Sequence, residues 1–273
     1  PPYSLKKEII KEIEFQTTKL ALSLNVIGLI NIQFAVKNED IYVLEANPRA
    51  SRTVPFISKA IGIPVAKIAA RIMAGEKLKK FNLEKRISNI FAIKEAVFPF
   101  NKFPNVDVLL GPEMKSTGEV MGIDENFGLS FAKSQMACGN ELPVSGTAFI
   151  SVKDKDKKNA LNFAKKLKEL NFKLCATSGT AKYLNSNGIN CKKINKVREG
   201  SPHIVESLNE KNIELVINTT EGTKSISDSY SLRRSALVNK IPYCTTLAAA
   251  NACIQAIDSL KNYEIKVKAI QEL

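Results

Sequence analysis

From residue 147 onward the sequence alternates strand-like and helix-like stretches without a break, and that alternation leaves few folds open. Short runs at 147–152, 172–176, 192–195, 213–218 and 243–246 read as strands, each followed by a stretch with helical spacing. The first helix, 155–170, turns Leu161, Ala164 and Leu167 inward, and the second is short and closed by Gly188. Ser201 and Pro202 stand as cap and first-turn residue of the third, and 229–240 and 247–260 complete the set. Five strand–helix units of this length predict a parallel sheet covered by helices on both faces. The expected fold class is α/β, doubly wound.

The first half of the chain follows another pattern. Residues 4–24 predict an amphipathic helix capped by Ser4, with Leu5, Ile9, Ile13, Leu20 and Leu24 on one face. Two strand-like runs, 28–36 and 41–46, flank the polar turn 37–40 and predict a hairpin, which Pro48 ends. A helix is expected over 55–74, stopped by Gly75. Residues 81–140, with Pro99, Pro104, Pro112 and several glycines, read as irregular, and a boundary falls near Gly139.

Composition narrows the function classes. No apolar run approaches the roughly 20 residues of a membrane span, and nothing at the N-terminus reads as a signal peptide. The opening Pro1-Pro2-Tyr3 lacks a methionine, so an excerpt of something longer is expected. Cys138, Cys175, Cys191, Cys244 and Cys253 form no close pair, which predicts reduced thiols in a cytoplasmic protein. The net charge of +13 suits anionic partners. No dense basic stripe with interleaved aromatics supports a nucleic acid, which leaves lysine-decorated helix faces or phosphate-bearing ligands.

Gln33, Glu45 and Asn47 form the first candidate site. Alternation along a strand turns Glu45 and Asn47 the same way, and a three-residue hairpin loop would set Gln33 opposite Glu45. Three oxygen-bearing side chains on one face suit Mg²⁺, which shares its remaining positions with nucleotide phosphates. Arg49 and Arg52 follow, suited to forked hydrogen bonds with phosphate oxygens. On spacing alone, the same residues fit the solvated face of a hairpin equally well.

The runs 28–36 (Gly-Leu-Ile-Asn-Ile-Gln-Phe-Ala-Val) and 44–56 (Leu-Glu-Ala-Asn-Pro-Arg-Ala-Ser-Arg-Thr-Val-Pro-Phe) resemble the metal-binding end of an ATP-grasp fold. More narrowly, they are similar to the carbamate-phosphorylating half of the carbamoyl phosphate synthetase large-subunit family. The runs 96–104 and 110–122 carry the same resemblance. It implies Gln33, Glu45 and Asn47 as ligands of Mg²⁺ or Mn²⁺ bridging ATP phosphates, with Arg49 and Arg52 as catalytic, phosphate-facing groups. It also implies that the adenine-binding part of the ATP-grasp unit lies upstream, so this chain alone is expected not to turn over ATP. The implied division is the end of an ATP-grasp α+β domain at 1–80, a connecting segment at 81–139 and a regulatory domain at 140–273.

In an open parallel sheet, ligands bind beyond the carboxyl ends of the strands. Those ends here are Thr177-Ser-Gly-Thr180, Lys196 and Asn218-Thr-Thr220. A strand-to-helix turn with hydroxyls and Gly179 favours an anion, and Lys157 and Lys196 add compact positive charge, so a phosphate monoester is the natural ligand. Helix-capping and strand-ending roles for the same residues stand beside that reading. This half resembles the methylglyoxal-synthase-like domain of the same synthetase family, as do 198–204 and 233–236. The resemblance implies Lys157, Thr177, Thr180, Lys196, Asn218 and Thr220 as contacts of a nucleoside monophosphate effector, UMP or IMP. Ser178 stands where the bacterial pattern carries a histidine. It further implies Glu95, Tyr243 and Thr245 as contacts of an ornithine-type activator, with Cys244 facing the other side of its strand.

A lyase like methylglyoxal synthase would need a poised carboxylate and imidazole. The sole histidine, His203, sits at a helix start where a cap is expected, and no Gly-rich carboxylate loop follows Asn218-Thr-Thr220. For the whole protein the resemblance implies ATP-dependent synthesis of carbamoyl phosphate from bicarbonate and glutamine-derived ammonia, serving pyrimidine and arginine biosynthesis. A glutaminase small subunit and an oligomer of the full protein are implied partners. A stand-alone phosphate-metabolite binding module is the alternative.

Overall fold

The computed structural model describes residues 2–81, 83, 89–102, 108, 110–111 and 113–269. The chain forms two compact units, Pro1–Ser88 with Lys268–Leu273, and Asn89–Val267.

In the first unit, α1 (Lys7–Ser23) precedes β1 (Asn31–Lys37) and β2 (Asp40–Asn47). Lys6, not Ser4, occupies the cap position of α1, and no side chain caps it. The hairpin pairs Lys37 with Asp40, so its loop holds two residues, not three. Asn38 and Glu39 have φ of 51° and 73°, the left-handed pair that a tight primed turn demands. A two-residue loop alone would set Gln33 opposite Leu44. A bulge between Gln33 and Phe34 takes up that residue, and Gln33 faces Glu45 after all. Beyond Pro48, the helix expected over 55–74 is two helices, α2 (Thr53–Ile61) and α3 (Val65–Met73), bent by 112°. Gly62 at φ 68° ends α2, and Pro64 prevents Ile63 from continuing the helix.

The second unit opens with residues read from sequence as irregular, and the structure corrects that reading. β3 (Phe91–Val97) and β4 (Gly118–Asp124) pair antiparallel along their whole length, and α4 (Phe127–Ala137) follows. Residues 82, 84–88, 103–107, 109 and 112 of that stretch, Pro104 and Pro112 included, lie outside the described residues. Asn126 caps α4, its Oδ1 accepting the Leu129 N–H at 3.0 Å. Small residues let the helix approach closely: a Cβ on Gly122 would lie 2.0 Å from the Ser130 carbonyl oxygen.

The remainder is the expected alternation: β5 (Thr147–Ser151), α5 (Lys157–Glu169), β6 (Lys173–Ala176), α6 (Ser178–Ser186), β7 (Lys192–Lys193), α7 (Ile204–Asn209), β8 (Leu215–Asn218), α8 (Thr223–Asp228), α9 (Tyr230–Val238), β9 (Tyr243–Cys244) and α10 (Leu247–Asn262). The five strands run parallel in the order β7-β6-β5-β8-β9. Alternation sends Ala148 and Ile150 into a core shared with α5, α6 and α10, while Phe149 enters a second core with α7 and α9. Helices thus cover both faces. α7 begins at Ile204, two residues past the expected place, because His203 and not Ser201 is its cap. The helix expected over 229–240 is preceded by α8, which the sequence reading did not separate.

Candidate functional site

The sheet order reverses at β5, whose neighbours β6 and β8 lead their connections to opposite sides. A cavity of about 780 Å³ opens there, beyond the carboxyl ends of the strands. Lys157, Thr177, Ser178, Gly179, Thr180, Lys196 and Asn218 line it. The first turn of α6 presents N–H groups that no intrahelical carbonyl satisfies, and the helix dipole adds positive potential. Thr177 occupies the cap position but makes no side-chain cap bond; its hydroxyl lies 3.2 Å from the Ser151 hydroxyl. Thr180, 2% exposed, accepts the Val152 N–H at 3.3 Å, which fixes this turn against β5. A Cβ on Gly179 would sit 3.4 Å from Lys157 Nζ, so the ammonium lies over the bare backbone of the turn.

Charge in the cavity is balanced. Lys157 Nζ meets Asp154 Oδ1 at 2.7 Å, and the hydrogen bond and charge of Lys157 hold the Asp154 carboxyl below its ordinary range. Lys155 pairs with Glu221, and each partner's hydrogen bond favours the other's charged form. Arg198, from the turn after Lys196, reaches Asp228 at 3.0 Å. A phosphate entering this space finds donors and cations already placed by the fold. Among the described residues it finds no carboxylate–imidazole pair for lyase chemistry: His203 Nδ1 accepts the Glu206 N–H at 3.3 Å as a helix cap and does not line the cavity.

Thr220 is absent from the cavity wall, and Thr219 takes its place. Its hydroxyl accepts the Lys153 N–H at 3.2 Å. Ser151 was also missed by the sequence reading; as the last residue of the first parallel strand, it sits where such a ligand-binding position is expected.

In the hairpin of the first unit, Gln33, Glu45 and Asn47 do come together. Glu45 Oε1 accepts from Gln33 Nε2 at 2.7 Å and from Asn47 Nδ2 at 2.9 Å, on an open face. Turning over the two amides exchanges nitrogen for oxygen at the same points and gathers three oxygen donors, a set that fits a hard divalent cation. Among the described residues, no group of three His, Cys, Asp or Glu offers another such place. The Arg49 N–H donates to the Asn47 carbonyl at 2.8 Å, which folds the chain back beside the triad. Arg52 stands just before α2, and both arginine side chains are exposed.

Of the residues matched to an activator site, Glu95 and Tyr243 have hydrogen-bond partners within the chain. Glu95 on β3 accepts from Gln135 Nε2 at 3.0 Å, and burial raises its pKa against that bond. The Tyr243 hydroxyl accepts from Asn218 Nδ2 at 2.6 Å. Thr245 is exposed beyond β9, and Cys244 lies in the opposite core from Tyr243.

Two family models match the chain. One, described as the carbamoyl-phosphate synthase L chain, ATP binding domain, covers residues 1–81; the other, the MGS-like domain, covers residues 159–245. The carbamoyl phosphate synthase large chain of Mesorhizobium japonicum is 54% identical over 278 residues, covering all of this chain and 24% of that protein. The chain belongs to the carbamoyl phosphate synthase large-chain family. Its counterpart in Methanobrevibacter smithii is 53% identical across all of this chain and 26% of its own length. The large chain, C-terminal section, of Aquifex aeolicus is 48% identical across all of this chain and 55% of its length. The chain therefore spans about a quarter of the carbamoyl phosphate synthase large chains it matches. A methylglyoxal synthase from Elizabethkingia anophelis NUHP1 superposes at a TM-score of 0.36 and 20% identity, over 41% of this chain and 79% of that one, too slight a likeness to add to the family match. The α/β class and the family expected from the large-chain motifs both stand. Among the described residues no single helix is long and apolar enough to cross a membrane.

Proposed function

We propose that the chain is the regulatory and metal-holding end of an ATP-dependent carbamoyl phosphate synthase. The whole protein would make carbamoyl phosphate from bicarbonate and ammonia supplied by a glutaminase small subunit, as a cytoplasmic oligomer. The observation that carries this reading is identity at about half of all positions along the entire chain to large chains of that name.

Gln33, Glu45 and Asn47 would hold Mg²⁺ or Mn²⁺, and Arg49 and Arg52 would face the phosphates of ATP. The ion would supply charge neutralisation at the transferring phosphoryl group. The chain's own part is to fix the ligands: the bulge that sets Gln33 opposite Glu45 builds the triad.

The cavity would bind a nucleoside monophosphate, with Lys157, Lys196 and the α6 turn on the phosphate. The order of partners follows from chemistry: a dianionic monoester needs N–H donors and cations, and the sugar and base bring O–H and N–H groups that the Asn218 amide can meet. Binding there can alter synthesis only by favouring one conformational state over another.

Synthesis by the whole large chain tests both parts. Glu45→Gln should lower ammonia-dependent carbamoyl phosphate formation by about 100-fold or more, since even an outer-sphere partner of a metal is worth 10–100-fold. Lys196→Ala should leave synthesis intact and remove its response to UMP or IMP. Full activity in the first variant, or a retained response in the second, contradicts the proposal.

A further inference from the structure

Tyr243 opens β9, pairs with Val216 of β8 and packs its ring into the core that also holds Phe149 and Leu232. Its hydroxyl lies 2.6 Å from Asn218 Nδ2. Asn218, the last residue of β8, is 4% exposed and lines the cavity. Among the described residues its side chain makes this one hydrogen bond. Tyr243 itself is not part of the cavity wall.

An asparagine amide offers a nitrogen that donates and an oxygen that accepts. With one Nδ2 hydrogen given to the tyrosine, the amide presents Oδ1 as a free acceptor beside its second N–H. An acceptor cannot engage a phosphate oxygen, which is itself only an acceptor in the dianion. It can engage an O–H or N–H, the groups that a ribose or a nucleobase brings. The phosphate end is already served by Lys157, Thr180 and the α6 turn, around Gly179.

We propose that Tyr243 is a positioning residue for ligand selection: it holds Asn218 so that the cavity prefers a nucleoside monophosphate over bare phosphate. The inference rests on the effector reading above and adds a residue to it. Toward the nucleotide, Tyr243 acts through Asn218 and makes no contact of its own, since it does not line the cavity.

The test is calorimetric titration of the full chain with UMP and, separately, with inorganic phosphate, for the unmodified chain, Tyr243→Phe, Asn218→Ala and the double variant. Loss of one hydrogen bond predicts UMP affinity weakened about 2- to 12-fold in Tyr243→Phe, with phosphate affinity unchanged. On the Asn218→Ala background, Tyr243→Phe should cost nothing further. Equal weakening of both ligands would mean a merely structural tyrosine and overturns the inference alone. So would unchanged UMP affinity, or an additive loss in the double variant. Absence of UMP binding by the unmodified chain would overturn the effector reading and this inference with it.

Discussion

Gly128→Ala probes whether the hairpin β3–β4 and α4 are built into the same cooperative unit as the parallel sheet. Gly128 lies in the first turn of α4, and a Cβ there would stand 2.3 Å from Ser259 Oγ and 2.5 Å from the Gln255 carbonyl oxygen of α10. The serine hydroxyl can rotate away, but the backbone oxygen cannot, so the helices must separate. Overpacking of this kind costs about 1–3 kcal/mol. The Ser259 hydroxyl also donates to Asn126 Oδ1 at 2.9 Å, and losing that bond adds about 0.5–1.5 kcal/mol. Alanine returns about 1 kcal/mol through helix propensity. The net expectation is a loss of about 0.5–3.5 kcal/mol, which lowers the melting temperature of a unit this size by roughly 1–14 °C. Urea unfolding followed by circular dichroism reads it. A shift below about 0.5 kcal/mol would refute the close packing of α4 on α10. A separate early transition, with the main one unmoved, would show that residues 89–139 unfold apart from the sheet.

Two further outcomes follow from the electrostatics. Asp154→Asn removes the carboxylate that Lys157 now faces at 2.7 Å and should tighten phosphate or UMP binding about two- to fivefold, read by titration; weaker binding would mean that Asp154 orients the lysine instead. The Cys138 thiol is pushed up to about 11, chiefly by burial and then by the Glu95 charge. At pH 8 its thiolate share is about 0.1%, against roughly a quarter for an ordinary thiol, so alkylation should run about 200-fold slower than with free cysteine. Glu95→Gln should speed it, and mass-spectrometric mapping at several pH values shows whether the rate climbs through the alkaline range as expected.

The parallel sheet was legible because its central strands are short apolar runs separated by helices of regular period, a pattern that few other folds share. The triad was legible for a partly mistaken reason. A three-residue loop gives the same pairing of Gln33 with Glu45 as a two-residue loop with a bulge, and the bulge leaves no local signature in Val43-Leu44-Glu45. The break between α2 and α3 was written in Gly62 and Pro64, but the continuous apolar spacing across them hid it. Residues 91–137 misled most. Their prolines and glycines looked like breakers, yet Gly122 and Gly128 are glycines of close packing, which only the tertiary partners Ser130 and Ser259 reveal. At the end of β8 the choice between Thr219 and Thr220 turned on the phase of a strand leaving the sheet, which no single-sequence pattern fixes.

The central claim is that the cavity at the strand ends recognises a phosphate monoester. Isothermal titration of the chain with UMP, IMP and uridine, beside Lys196→Ala, tests it most directly. Saturable binding of UMP or IMP is expected, with none of uridine and loss of binding in Lys196→Ala. Binding of uridine as tight as that of UMP, or nucleotide binding untouched by the substitution, would contradict it.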